Sequence, residues 1–140
     1  MEVPKRIVLD TTIIVRHLRG RKDETRLIER LQESSAVATT IVNSFEVYYG
    51  AYKSENTAKN LASAKGFLST LEVLDFNDQS AELAVKVMAD LESKGIALDP
   101  RDVLIGSIAS TNGYSLVTLN SKHFERIPAL EVLEPKEIRS

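Results

Sequence analysis

The sequence contains no cysteine, which excludes disulfides and thiolate metal centres and suits a reducing compartment such as the cytoplasm. No apolar run approaches the roughly 18 residues of a membrane-spanning helix, and the opening Met-Glu-Val-Pro-Lys-Arg lacks the apolar core of a secretory signal. A cytoplasmic protein without membrane attachment is therefore expected. Internal repeats, low-complexity tracts and linker-like stretches are missing as well. The 140 residues fit a single domain, 1–140, large enough to build a core without staples. A net charge of only −2 makes no overall case for nucleic-acid binding.

The charge that is present is unevenly spread. Residues 5–30 carry eight Lys and Arg (Lys5, Arg6, Arg16, Arg19, Arg21, Lys22, Arg26, Arg30) against four acids, and the rest of the chain is correspondingly acidic. Such a run usually marks a solvated helix face. Beside a cluster of acids it could instead hold a phosphate backbone, with Arg16, Arg19, Arg21 and Lys22 as the contacts.

Hydrophobic spacing divides the chain into alternating elements. Ile7 to Leu9 is a short apolar run suited to a buried strand, and Asp10 ends it. Thr11 or Thr12 can cap the helix that follows, which Gly20 ends. A helix over 23–33 puts Leu27, Ile28 and Leu31 on one face. Ala36 to Thr39 reads as a second strand, after which Thr39 or Thr40 caps a helix reaching Tyr52. On it Ile41, Phe45, Tyr48 and Tyr52 form a stripe that is either buried or faces a partner. A helix over 55–71 turns Leu61, Ala64, Phe67, Leu68 and Leu71 inward, and 72–76 is a third strand. Asn77 or Asp78 then caps a helix with Ala81, Ala84, Val85, Met88 and Leu91 at helical spacing up to Gly95. Asp99-Pro100 opens another, Arg101 to Thr111, whose apolar content predicts burial and which Asn112-Gly113 stops. Strands at 115–118 and 130–133 complete the pattern. Strands alternating with helices predict an α/β fold with a parallel sheet.

Most of the acids lie on polar helix faces or in the tail, but three are out of place. Asp10 ends a buried strand, where it can be a helix cap or a ligand. Glu46 sits mid-helix among Ser44, Phe45, Val47 and Tyr48, where a carboxylate must pair, titrate, bind a cation or lie on an exposed edge. Asp102 opens the most apolar helix although Asp99 already fills the capping role. Acids at helix starts after strands can meet at one edge of a parallel sheet. Such a cluster repels itself unless cations neutralise it. Oxygen ligands, with no cysteine and no histidine beyond His17 and His123, favour Mg²⁺ or Mn²⁺ over Zn²⁺. Metals held this way commonly serve phosphoryl chemistry.

The segments Ile-Val-Leu-Asp10-Thr-Thr-Ile, Thr-Ile-Val-Asn-Ser-Phe-Glu46-Val-Tyr-Tyr-Gly50, Asp102-Val-Leu-Ile-Gly-Ser-Ile-Ala and Leu-Val-Thr118-Leu-Asn120-Ser-Lys-His-Phe124 resemble, in order and spacing, the signature of PIN-domain ribonucleases. Within that family the likeness is to the VapC-type toxins of toxin–antitoxin pairs, and it runs from about Arg6 to Leu133. The resemblance implies a three-layer α/β/α fold with a central, mostly parallel sheet of four to five strands. It also implies a Mg²⁺- or Mn²⁺-dependent endoribonuclease, frequent homodimers, and a cognate VapB-like antitoxin that is a small DNA-binding protein. Its acids fall on Asp10, Glu46 and Asp102, as metal ligands and catalytic groups. The fourth acid often found in the last motif is here Asn120, with His123 three positions on. Thr118 matches the hydroxyl at the end of the last strand, with Thr12 and Asp99 as further auxiliaries.

Two other readings compete. In an interaction module the acids would be structural and the Phe45, Tyr48 and Tyr52 stripe would bind a partner. A haloacid-dehalogenase-type phosphatase also places an Asp at a strand end, but it wants a second acid two residues on, where this chain has Thr12.

Overall fold

The computed structural model of the protein describes residues 3–138, so the outermost residues of the expected 1–140 domain lie outside it. The first strand, β1 (Arg6–Leu9), is buried along Ile7, Val8 and Leu9 and occupies the middle of the sheet. Helices α1 (Thr11–Leu18) and α2 (Lys22–Ser34) lead to β2 (Ala36–Thr40). Helices α3 (Ile41–Tyr52) and α4 (Thr57–Leu68) lead to β3 (Glu72–Leu74). Helices α5 (Asp78–Ser93) and α6 (Pro100–Thr111) lead to β4 (Ser115–Val117), and a single 3₁₀ turn at Ser121–His123 precedes β5 (Val132–Leu133) and α7 (Pro135–Ile138).

The strand order is β3-β2-β1-β4-β5 and every pairing is parallel. The chain winds from β1 toward β3, returns, and continues on the other side through β4. The order therefore reverses between β1 and β4, where open parallel sheets form a crevice at their carboxyl ends.

The side-chain alternation of β1 divides the interior in two. Ile7 and Leu9 pack with Ile13, Ile14, Leu27, Ile28, Leu31, Val47, Ala64 and Leu68. Val8 points to the opposite face and packs with Ala84, Val87, Leu91, Val103, Ile105 and Ile108. The result is the expected α/β/α sandwich, with α1 to α4 on one side and α5 and α6 on the other. Gly106 belongs to this packing: a Cβ there would collide with the Ile127 side chain. Gly20 (φ 79°) and Gly113 (φ 73°) follow α1 and α6 in the left-handed conformation that glycine adopts at least cost.

Several local expectations change. Asp10, not a threonine, is the N-cap of α1. Helix α4 ends at Leu68, β3 stops at Leu74 and β5 starts only at Val132. Val85 is 66% exposed, because α5 turns Ala84, Val87 and Leu91 inward. The stripe on α3 is mostly not core: Ile41, Phe45 and Tyr52 are exposed and only Tyr48 is half-buried against the core, while Asn43, Ser44, Val47 and Ala51 face inward. The rotation of α3 is set at its start. A capping box between Thr40 and Asn43 fixes the first turn and carries Asn43 beneath the sheet edge.

Candidate active site

Asp10 leaves β1 at the switch point with its backbone N–H still in the sheet, donating to the Val117 carbonyl at 3.0 Å. Its side chain is 5% exposed. Oδ1 accepts from the Thr11 N–H (2.8 Å) and from Asn43 Nδ2 (3.2 Å), and Oδ2 accepts from the Thr118 hydroxyl (2.6 Å). A buried carboxylate needs such partners. They come from α1, α3 and the end of β4, so the orientation of Asp10 depends on the whole sheet edge.

Asn43 is the hub of this arrangement. It is fully buried, and its Oδ1 accepts from the N–H and the hydroxyl of Thr40 (3.1 and 2.7 Å). Its Nδ2 donates both to Asp10 and to the Thr11 hydroxyl (2.9 Å). The Thr11 hydroxyl donates in turn to Glu46 Oε1 at 2.5 Å. One chain of hydrogen bonds thus joins the first two motifs. The bridging hydroxyl is that of Thr11, and Thr12 is not among its partners.

Asp102 lies in the first turn of α6. Its Oδ2 is 3.2 Å from His123 Nδ1, an ion pair when the ring is protonated. Burial pushes the Asp102 carboxyl up to about 6, and the charges of Asp10, Asp99 and Glu46 push it the same way while His123 opposes them. Asp102 therefore stands in the field of both other motif acids. Asp99 caps α6 through the Arg101 N–H (2.9 Å) and also binds the Arg101 guanidinium (3.0 Å), which reaches Glu46 Oε2 at 3.4 Å. These Arg101 contacts hold the Asp99 carboxyl below its usual range. Among the described residues, no three His, Asp or Glu side chains are drawn together as a ready-formed metal cage.

The remaining candidates lie at differing distances from this centre. Thr118 is buried against Asp10 and accepts from the Asn120 N–H at 3.0 Å, while the Asn120 side chain is exposed. Arg16 is not an unpaired cation, since its Nε lies 3.1 Å from the buried Glu24. Arg19, Arg21 and Lys22 are exposed beyond the far end of α1, roughly 12 Å along the helix from Asp10 at 1.5 Å per residue. Thr11, expected from the sequence to start the helix and support the Asp10 carboxylate, does hold it, whereas Asn43 and Arg101 carry no comparable mark in the sequence. The signal for Asn43 is its position, three residues after a capping threonine and three before Glu46 on one helix.

These features define the class: a doubly wound α/β protein with an acidic site at its topological switch point. The sequence profile of the PIN domain matches residues 7–130. The tRNA(fMet)-specific endonuclease VapC of Salmonella typhimurium is 34% identical over 128 residues, covering 91% of this chain and 96% of that one. Ribonuclease VapC2 of Haemophilus influenzae is 32% identical over 124 residues, covering 88% and 92%. The chain belongs to the PIN-domain family, in its VapC ribonuclease branch. The structure of VapBC2 from Rickettsia felis bound to a DNA fragment from its promoter superposes with a TM-score of 0.84 at 30% identity, covering 91% of this chain and 97% of that one. DNA-bound VapBC from Salmonella typhimurium gives 0.84 at 32%, covering 94% and 99%.

Proposed function

We propose that the chain is a divalent-metal-dependent endoribonuclease, one domain across 1–140, acting in the cytoplasm as the toxin of a type II toxin–antitoxin pair. The observation that carries this reading is the sheet edge itself, in a chain of the VapC branch: Thr11, Asn43 and Thr118 hold both oxygens of Asp10, the Thr11 hydroxyl ties Glu46 to the same edge, and the Asp102 carboxyl is pushed up by burial and by the charges of Asp10, Asp99 and Glu46. Carboxylates brought to one sheet edge suit a hard cation that would draw them together, and Asp10, Glu46 and Asp102 are the residues that would hold it. When bound, Mg²⁺ or Mn²⁺ supplies Lewis-acid neutralisation of charge on the reacting phosphate.

The protein's own groups have distinct tasks. Thr11, Asn43 and Thr118 fix both oxygens of Asp10. Thr11 holds Glu46 at the same edge. Asp102, in the first turn of α6 and paired with His123 at 3.2 Å, would face the reacting groups from the other side of the edge. The exposed Arg19, Arg21 and Lys22 would contact the RNA backbone farther along the strand, whereas Arg16 would first have to leave Glu24. The deciding experiment incubates the purified chain with structured RNA and Mg²⁺ or Mn²⁺. Cleavage that stops in excess EDTA is expected, and cleavage that survives the chelator would refute the mechanism. A phosphatase reading of Asp10 is set aside by the family to which the chain belongs.

The relatives solved as VapBC complexes support a VapB-like partner for this chain. A groove of about 150 Å³ between α1, α3 and α4, floored by Val15, Leu18, Val47 and Ala51, offers an apolar seat for an antitoxin segment. The outer face of α3 is a separate surface, with Phe45 and Tyr49 stacked at 6.0 Å beside the exposed Tyr52. Exposed aromatic clusters of this kind favour protein contacts, and we assign this one to a second copy of the chain. Changing Phe45 and Tyr52 together to Ala is expected to convert a dimer to a monomer in sedimentation analysis without lowering the melting temperature. A folded variant that remained dimeric would place the interface elsewhere.

A further inference from the structure

We propose that Arg101 binds the scissile phosphate of the RNA and is held ready for it by Asp99 and Glu46. The inference rests on the ribonuclease reading above and adds a substrate-binding group that sits at the acids themselves.

Arg101 is the second residue of α6, and its side chain is 52% exposed. Its two anchors are unequal. Asp99 receives both Nη2 at 3.0 Å and Nε at 3.4 Å, and the same carboxylate caps the helix, so this grip belongs to the fold. Glu46 is met only by Nη1, at 3.4 Å, while the other Glu46 oxygen is held by Thr11 at 2.5 Å. At 3.4 Å this contact is longer than a strong charge-assisted hydrogen bond, and its Arg101 side is open to solvent. A phosphate oxygen can take the place of Glu46 at Nη1 while Asp99 keeps the arm aimed at the site. Each terminal nitrogen makes one of these contacts and retains an N–H for a bidentate phosphate.

Charge points the same way. The site holds Asp10, Glu46, Asp99 and Asp102, and an incoming phosphodiester adds another negative group. Arg16 is engaged by Glu24, and Arg19, Arg21 and Lys22 stand a helix length away. Among the described residues, Arg101 is the guanidinium that already touches these acids. Planar and always charged, it is the side chain best matched to two phosphate oxygens.

The test measures binding of fluorescent RNA by anisotropy, in Mg²⁺ and across a salt series, on an Asp10→Asn background that prevents turnover. Arg101→Ala is expected to weaken binding about ten-fold and to lower the salt slope by about one. Arg101→Lys should recover the slope but only part of the affinity, since it restores charge without the fork. In the active chain, Arg101→Ala should raise KM more than it lowers kcat, with the native circular-dichroism spectrum retained. Wild-type affinity and salt slope in Arg101→Ala would overturn the assignment while leaving the ribonuclease reading intact. Failure of the unaltered chain to cleave RNA in Mg²⁺ or Mn²⁺ would overturn that reading, and the Arg101 assignment with it.

Discussion

Asp10→Asn is expected to reduce metal-dependent RNA cleavage by more than about 100-fold while leaving the protein folded. The substitution keeps the shape of the side chain and an oxygen that can still accept from the Thr11 N–H and Asn43. It removes the negative charge and presents an amide to the Thr118 hydroxyl, which already accepts from the Asn120 N–H. The mismatch costs about 1–3 kcal/mol, too little to unfold an ordinary domain. Cleavage of structured RNA and the circular-dichroism melt of the same preparation check both halves. Undiminished cleavage by a folded Asp10→Asn protein would remove Asp10 from the chemistry.

Asp102→Asn should also abolish cleavage, yet in EDTA at pH 7.5 it should make the protein more stable. The sign follows from linkage. The folded-state value of about 6 lies above the ordinary 3.8, so the folded chain holds this proton more tightly than the unfolded chain does. Stability from this group is full below the ordinary value and is lost as pH rises through about 6. At pH 7.5 the ionised carboxylate therefore works against folding. The shift corresponds to about 3 kcal/mol at most, and partial exposure reduces that to roughly 1–2 kcal/mol. Urea midpoints at pH 5 and pH 7.5 measure it: the gap between variant and parent should be large at pH 7.5 and small at pH 5. Mg²⁺ should stabilise the parent and leave the variant little changed. A variant no more stable than the parent at pH 7.5 would show that burial and the neighbouring acids do not penalise the Asp102 charge.

Much of the fold was legible because short apolar runs and helix signals alternate without ambiguity. Ile7 to Leu9, bounded by charge, suits a buried strand, and Asp99-Pro100 pairs a capping acid with a proline at the first helical position. Asp10, Glu46 and Asp102 stood out because each carboxylate interrupts an apolar context that disfavours it. The aromatic stripe on α3 shows the limit of this kind of reasoning. Helical spacing identifies which residues share a face, but not whether that face meets the sheet or the solvent. Here Val47 and Ala51 meet the core, and Phe45 and Tyr52 do not.

The sequence by itself determined the alternation of strands and helices and the parallel α/β class, and it marked Asp10, Glu46 and Asp102 as the proposed site acids, since these depend on local periodicity and on which side chains water must accompany. The tertiary structure alone decided how those acids are held. Asn43, 33 positions from Asp10, donates to it, and Thr118, 108 positions away, does the same. Arg101 reaches Glu46 from a different helix, and Arg16 is drawn to Glu24. A hydrogen bond is set by distance and angle between groups far apart in the chain, and only the assembled sheet brings them within 3 Å or so of each other.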